Sequence, residues 1–407
     1  MDFKKMISHL IQKSRIGIYL HIPFCPHICP YCDFVKTSQF SKKDVNAFFS
    51  ELSLQLDYFL NQLPSPISKD HATVYFGGGT PGLFEASFYQ PLLNKIREKY
   101  ILEEVTLETN PLTNIERRFF NYLNVGFDRI TLGAQSLCPT TLKTLGRKHS
   151  KETIIKNIKW AQKAGFKNIQ VDLIYGLKKE IRTLNVEDEI QQLFDAGATG
   201  ISAYALSIEK RTLFANSDFA CDENAANEYL QILNKCKSLG FKQLETSNFS
   251  KLETRHNHIY WHGLPYIGVG TGAHGLLPPT DQFPYGIRYR IGEEKIKSFA
   301  PGNDELIFSQ QDQRMKNFSI HYDPPRTKKE YLEEMIFTLL RTPRGIPIKW
   351  LIKMTQNENI IQQVSDQPKI KRGIMEGKII LDKESIFLLD EEKIRGDLWI
   401  SEFITLI

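Results

Sequence analysis

Hydrophobic and polar positions follow two rhythms along the first half of the chain. Short runs rich in β-branched and aromatic residues at 16–22, 73–76, 105–108, 129–133, 168–174 and 200–204 predict strands. Longer stretches with apolar residues at helical spacing, at 43–61, 84–99, 114–123, 151–164, 186–196 and 225–239, predict the helices between and after them. Such alternation calls for a parallel sheet with helices outside it. Six repeats over about 230 residues fit a barrel or a partial (β/α)6 TIM-like barrel better than a short doubly wound sheet, and place reacting side chains at the C-terminal ends of the strands.

A Gly- and Pro-rich stretch at 275–301 reads as a connection. Beyond it, 330–340 is amphipathic, 349–354 suggests a short helix and 377–389 resembles a two-stranded hairpin. The expected organisation is α/β: residues 1–304 carry the partial barrel, and 305–407 form a small C-terminal α+β domain.

Composition narrows the class. The 407 residues are 41% hydrophobic and 24% charged, enough apolar material for a large core, which excludes a disordered or fibrous chain. Lys+Arg 52 against Asp+Glu 47 leaves +5, too small an excess to argue for nucleic acid as a partner. No run reaches the length of a transmembrane helix, and the N-terminal MDFKKMISHLIQKSR has no continuous hydrophobic segment, so no signal peptide and a cytoplasmic location are expected. The Asn-Phe-Ser sequons at Asn248 and Asn317 then carry no weight. Of the six cysteines, Cys25, Cys29 and Cys32 are clustered, whereas Cys138, Cys221 and Cys236 are scattered. That is no disulfide framework; the trio belongs to a reducing compartment and to a metal.

The trio sits in His21-Ile22-Pro23-Phe24-Cys25-Pro26-His27-Ile28-Cys29-Pro30-Tyr31-Cys32-Asp33-Phe34, directly after the first strand. Three thiolates on one loop suit an iron–sulfur cluster. Structural zinc normally takes four ligands, and only His21 and His27 are nearby extra candidates. Three thiolates on a four-iron cluster leave one iron open. Gly77-Gly78-Gly79-Thr80-Pro81 follows the second strand and exposes backbone groups to a ligand. Glu108 and Asn110, Gln135, and Asp172 end the next three strands, and Arg147 lies in Leu145-Gly146-Arg147.

At these residues the chain resembles the radical S-adenosylmethionine (SAM) superfamily. The resemblance implies a [4Fe–4S] cluster on Cys25, Cys29 and Cys32, SAM on the fourth iron, and a 5′-deoxyadenosyl radical after reductive cleavage. Tyr19, HIPFC, GGGTP, GAQS, LGR and DLIYGL narrow it to the oxygen-independent coproporphyrinogen III oxidase-like family. That family's SAM positions fall on Tyr19, Tyr31, Gly78, Gly79, Thr80, Glu108, Gln135, Arg147 and Asp172.

Two branches share this pattern. The oxidase branch carries a fourth cysteine where this chain has Phe34, and a longer segment before the first cysteine than the 24 residues here. Both features point to the heme-chaperone branch. Arg255-His256-Asn257-His258-Ile259-Tyr260-Trp261 contains that branch's H-N-x-x-Y-W motif, within a heme-associated segment near 245–276. It implies His256 as an axial heme ligand, Tyr260 and Trp261 as flat porphyrin surface, and Arg255 as a propionate partner. His258 and His262 are the alternatives. The implied partners are heme, an acceptor hemoprotein and an electron donor such as flavodoxin or ferredoxin. The basic run Lys369-Ile370-Lys371-Arg372 is a solvated face or a peripheral membrane contact. The alternative function is an oxygen-independent coproporphyrinogen III oxidase; a zinc-stabilised binding module is a third class.

Overall fold

The computed structural model describes residues 15–63, 70–113, 115–292 and 319–405. The expected domain boundary at 304–305 and the sequon at Asn317 lie outside them.

Six strands run parallel in chain order: β1 (Arg15–Ile22), β2 (Asp70–Gly78), β3 (Tyr100–Thr109), β4 (Arg129–Gln135), β5 (Asn168–Tyr175) and β6 (Gly200–Ala205). Helices α1 (Lys42–Gln62), α2 (Gln90–Lys99), α3 (Glu116–Val125), α4 (Lys151–Ala164) and α5 (Val186–Ala196) connect them, and α6 (Asp222–Ser238) follows β6. The α/β class and the large parallel sheet are as expected. A short helix, α7 (Arg255–Trp261), packs against β1, β2 and β3.

The two faces of these strands differ in polarity. Ile16, Ile18, Leu20 and Ile22 of β1 and Ala72, Val74 and Phe76 of β2 join the apolar core with helix residues such as Leu52, Phe59 and Leu93. The alternate positions are small or polar: Gly17, Tyr19 and His21; Thr73, Tyr75 and Gly77; Thr106 and Glu108; Thr131 and Gly133; Gln170 and Asp172. Successive side chains point to opposite faces of a strand. The sheet therefore presents an apolar outside to the helices and a polar inside, unlike the apolar layers that fill a closed eight-stranded barrel.

Local signals set the helix ends. Ser41 and Asp44 form a reciprocal capping box on α1, and Ser150 caps α4 by accepting from Thr153 N at 3.4 Å. The single helix expected over 84–99 is divided: a 3-10 turn at Ala86–Phe88 precedes α2, because Pro91 is tolerated only in a helix's first turn.

The stretch read as a connection carries two strands among its described residues, 275–292. Strands β9 (Tyr266–Val269), β10 (His274–Leu277), β11 (Ile287–Ile291) and β12 (Ile320–Tyr322) extend the sheet beyond β1, with β9 parallel to β1 and each later strand antiparallel to the one before it. At the other edge, β8 (Asn248–Ser250) pairs antiparallel with both β6 and the short β7 (Lys242–Gln243). Strands this short among Gly and Pro carry no readable period.

A second apolar cluster, including Leu332, Ile336, Trp350, Ile370, Ile386 and Phe403, is built from helices around the small sheet of Ile346–Pro347, Ser385–Leu388 and Ile379–Leu381. It meets the barrel through Tyr229 Oη donating to Asp390 O (2.9 Å), Lys237–Asp390 (3.0 Å) and the Arg288–Glu334–Arg326 ion cluster. In the basic run, Ile370 is buried while Lys369 and Arg372 pair with Glu402 and Glu376.

Candidate functional site

The loop after β1 is pinned at its base, since Cys25 N donates to Thr37 O (2.9 Å) and Thr37 N to Pro23 O (2.8 Å). A turn with Cys32 N on Cys29 O brings the thiols round, and Lys36 Nζ holds Cys32 O at 2.6 Å. Cys25, Cys29 and Cys32 all front one cavity of about 390 Å³. Burial pushes the Cys25 thiol up to about 11 and raises Cys32. Thr80 counters this at Cys25, donating Oγ1 to Sγ at 3.8 Å, and Arg147 Nη1 donates to Cys29 Sγ at 3.2 Å. Among the described residues, no three His, Cys, Asp or Glu side chains converge on a single ion. A four-iron cluster spaces its thiolates more widely than one ion does.

The glycine loop after β2 lies directly against the cysteine loop. Gly79 N donates to Ile22 O (2.7 Å) and Thr80 N to Phe24 O (2.8 Å). A Cβ on Gly79 would stand 2.6 Å from Phe24 O, and one on Gly78, at φ +106°, 2.5 Å from the His21 ring. Only glycine fits both positions.

Tyr31, Gly78, Gly79, Glu108, Gln135, Arg147 and Asp172 line the same cavity. Thr80 stands behind it, fully buried and accepting from Asn110 Nδ2 (2.8 Å). Tyr19 faces the neighbouring cavity instead. Glu108 accepts from Tyr75 Oη (2.6 Å) and Gly78 N (3.0 Å), yet burial raises its pKa. Asp172 is raised to about 7, chiefly by burial and then by the nearby Glu108 carboxylate. Gln135 adopts φ +69° where the β4–β5 register slips, which aims its side chain off the strand end. Asp172 Oδ1, Arg147 Nε and Thr131 Oγ1 are buried here without a hydrogen-bond partner. Buried polar atoms of this kind ask for a polar ligand, and SAM, with ammonium, carboxylate and ribose groups, fits that demand.

A second cavity of about 990 Å³ adjoins the first across Glu108, Cys29 and Cys32. Its inner wall is Tyr19, Tyr75, Tyr260 and Tyr266; its mouth carries Ile28, Phe34 and Leu213 beside Lys36, Lys210, Arg211 and Arg290. Helix α7 is its floor. Glu104, paired with the buried Arg129, accepts from Arg255 N (2.9 Å) and His256 N (3.1 Å) and so fixes the first turn of α7.

The motif on α7 is arranged differently from expectation. His256 is 1% exposed, with Nδ1 2.8 Å from Thr73 Oγ1 and Nε2 2.8 Å from Tyr260 Oη. Burial lowers its pKa to about 3. Both ring nitrogens are committed, so the axial-ligand role expected of His256 meets a filled coordination edge. Arg255 Nη1 turns to Glu103 O (3.2 Å), away from both cavities, and Trp261 lines a separate cavity with Glu245, Arg288 and Glu334. Of the expected Tyr–Trp surface, only Tyr260 reaches the larger cavity. His258 and His262 stack on each other, centroids 3.6 Å apart, and line neither of the two adjoining cavities.

A curated relative from Lactococcus lactis named heme chaperone HemW is 30% identical over 351 residues, covering 84% of this chain and 85% of the relative. The chain belongs to the HemW family. Another HemW, from Escherichia coli, is 31% identical over 279 residues (67% of this chain, 73% of the relative), and one from Buchnera aphidicola is 27% identical across 97% and 99%. Residues 19–183 match the Radical SAM superfamily. A solved structure, the coproporphyrinogen III oxidase HemN of Escherichia coli, superposes with a TM-score of 0.72 at 15% identity over 97% of this chain and 90% of that one. At that identity the likeness is one of fold. Among the described residues, no helix is long and apolar enough to cross a membrane.

The sequence pattern passed over Lys210, Arg211 and Leu213, which follow β6 where a barrel places its functional loops. It passed over Arg290 as well, which sits in the stretch read as a connection.

Proposed function

We propose that this HemW-family protein is a heme chaperone, holding one heme in the larger cavity and passing it to an acceptor hemoprotein. The larger cavity carries this reading. It sits at the upper end of the roughly 300–1,000 Å³ range of small-molecule sites, walled by aromatic rings and rimmed by cations, as a flat apolar macrocycle with two carboxylates requires. The names of the curated relatives support it.

In this reading Cys25, Cys29 and Cys32 hold a [4Fe–4S] cluster, and SAM is bound by Tyr31, Gly78, Gly79, Glu108, Gln135, Arg147 and Asp172, with Thr80 supporting Cys25. When bound, cluster and SAM supply one-electron chemistry, fed by a donor such as flavodoxin or ferredoxin. Arg147 counters the charge of the Cys29 thiolate, and Glu108 and Asp172 accept from ligand hydroxyl or ammonium groups. Glu108, Cys29 and Cys32, which border both cavities, stand between that site and the heme cavity. His256 acts by holding Tyr260 in the wall. The second apolar cluster, drawn from Leu332 to Phe403, supports a separate small α+β domain at the C-terminal end of the described residues.

The test is anaerobic reconstitution followed by parallel heme titration and coproporphyrinogen III turnover on one sample. Saturable binding of about one heme per chain, with no protoporphyrinogen above background, is expected. Robust turnover, or no heme binding, overturns the proposal.

A further inference from the structure

His256 borders the larger cavity and is nevertheless buried. Its Nε2 edge is closed by Tyr260, one helical turn further on, whose Oη lies 2.8 Å away with the two rings edge-on. On the other edge, Nδ1 lies 2.8 Å from Thr73 Oγ1. A hydrogen bond with the Thr73 backbone also works against the lowering of the His256 pKa. A backbone group that favours the protonated ring is a carbonyl accepting from it. The network therefore assigns the ring proton to Nδ1 and leaves the Nε2 lone pair to accept from the Tyr260 hydroxyl. This is the form in which an imidazole binds metal: neutral, with its far nitrogen anchored to the protein.

The two partners differ in their freedom to move. His256 is wedged in place: a Cβ on Gly17 would stand 3.5 Å from its Cε1, the Tyr75 ring lies 5.1 Å away between centroids, and Glu104 accepts from its backbone N–H. Tyr260 is half-buried and borders two cavities at once, the larger one and the cavity of about 420 Å³ that Trp261 lines. Glu245, Ser247 and Arg288 stand on the walls of that second space. A turn of the phenol toward it has room, and polar side chains to receive the hydroxyl.

We propose that Tyr260 sets how tightly heme is held: its hydroxyl occupies the nitrogen through which His256 takes the iron, leaves it when heme enters and returns when heme departs. The proposal rests on the heme-chaperone reading and on the axial-ligand role that the H-N-x-x-Y-W motif implies for His256. In the empty protein the same contact holds Tyr260 in the wall. The exchange moves no proton: an Nε2–iron bond forms, the Oη–H···Nε2 hydrogen bond breaks, and Nδ1 keeps its hydrogen. Heme binding then forgoes one buried hydrogen bond, about 2–10-fold in affinity. A carrier must release its cargo, and an internal competitor weakens the hold without removing the ligand.

The test is heme titration of the full chain, read by absorption and electron paramagnetic resonance, for wild type, Tyr260→Phe, His256→Ala and the double variant. Tyr260→Phe keeps the ring and deletes the hydroxyl. It should keep an imidazole-ligated spectrum, bind heme about 2–10-fold more tightly, and pass it more slowly to apomyoglobin used as a scavenger. It should lower stability to denaturant in the empty protein, and that loss should disappear once heme is bound. In the His256→Ala background, Tyr260→Phe should change heme affinity less than about twofold. Unchanged or weaker binding by Tyr260→Phe, with imidazole ligation intact, overturns the exchange and leaves the chaperone reading standing. An imidazole-ligated spectrum that survives His256→Ala overturns the ligand role and the exchange with it. Absence of heme binding by the wild-type protein overturns the chaperone reading as well.

Discussion

The two adjoining cavities share the Glu108 wall but treat polarity in opposite ways. In the cysteine cavity, Asp172 Oδ1, Arg147 Nε and Thr131 Oγ1 are buried without partners, and Asp172 is pushed up to about 7. In the larger cavity, the inner polar groups satisfy one another: Tyr19 with His21, Tyr75 with Glu108, His256 with Thr73 and Tyr260. Its charges stand at the mouth instead. A buried group left unpaired costs about 1–3 kcal/mol, so a ligand that pairs it recovers that cost. The first cavity is thereby selective for a polar ligand that makes specific hydrogen bonds. The lining of the second suits an amphiphile, by apolar area inside and by charge at the rim.

Breaking the first cavity should produce the largest effects. Cys25→Ser, Cys29→Ser or Cys32→Ser should each abolish the four-iron, four-sulfide content expected per reconstituted chain, read by metal analysis and charge-transfer absorbance. Cys138→Ser, Cys221→Ser and Cys236→Ser should leave it intact. Asp172→Asn and Arg147→Ala should weaken SAM binding by about 10–100-fold, the cost of one or two charge-assisted hydrogen bonds, with heme affinity changed little. If either variant lowers both affinities equally, the cavities do not differ as argued.

The floor of the second cavity gives intermediate effects. Glu104→Gln should cost about 1–3 kcal/mol of stability in denaturant unfolding, because the carboxylate serves two backbone donors of α7 and the buried Arg129. Acid should act on the same region. Burial lowers His21 to about 4 and His256 to about 3. The unfolded chain takes up protons near pH 6.5 that the folded chain refuses. Their contribution is therefore complete above about pH 6.5 and is lost as pH falls toward 4 and 3. The slope is up to about 1.4 kcal/mol per pH unit for each. Asp172, raised, opposes this between its unfolded value and about 7. His256→Gln should flatten the acid limb of stability against pH, and Asp172→Asn should steepen it. The smallest effect is expected of Trp261→Ala, which should alter heme affinity less than about twofold, because its ring faces a different cavity.

Much of the first cavity was legible because it is made of short motifs. The three cysteines, the glycine loop and the residues at successive strand ends each follow a strand whose outward Ile, Leu and Val positions are visible in the sequence. Helices α4 and α5 fall on the expected residues because Ser150 and Asn185 cap them and Gly165 and Gly197 end them in the left-handed conformation. The second cavity was not legible. Its residues run from Tyr19 to Arg290, and only the topology gathers them. The commitment of His256 to Thr73, 183 positions away, leaves no local trace. The strands that carry His274 and Arg290 have four and five residues, too short to show a period.

On the function proposed, one chain holds two ligands in adjacent but separate cavities. Heme titration of cluster-loaded protein, with and without saturating SAM, tests it most directly. About one heme per chain is expected in both cases, with affinities within about fivefold of each other, at or below the lower end of ordinary coupling between sites. Displacement of one ligand by the other, with apparent heme affinity falling in proportion to SAM concentration, would contradict it.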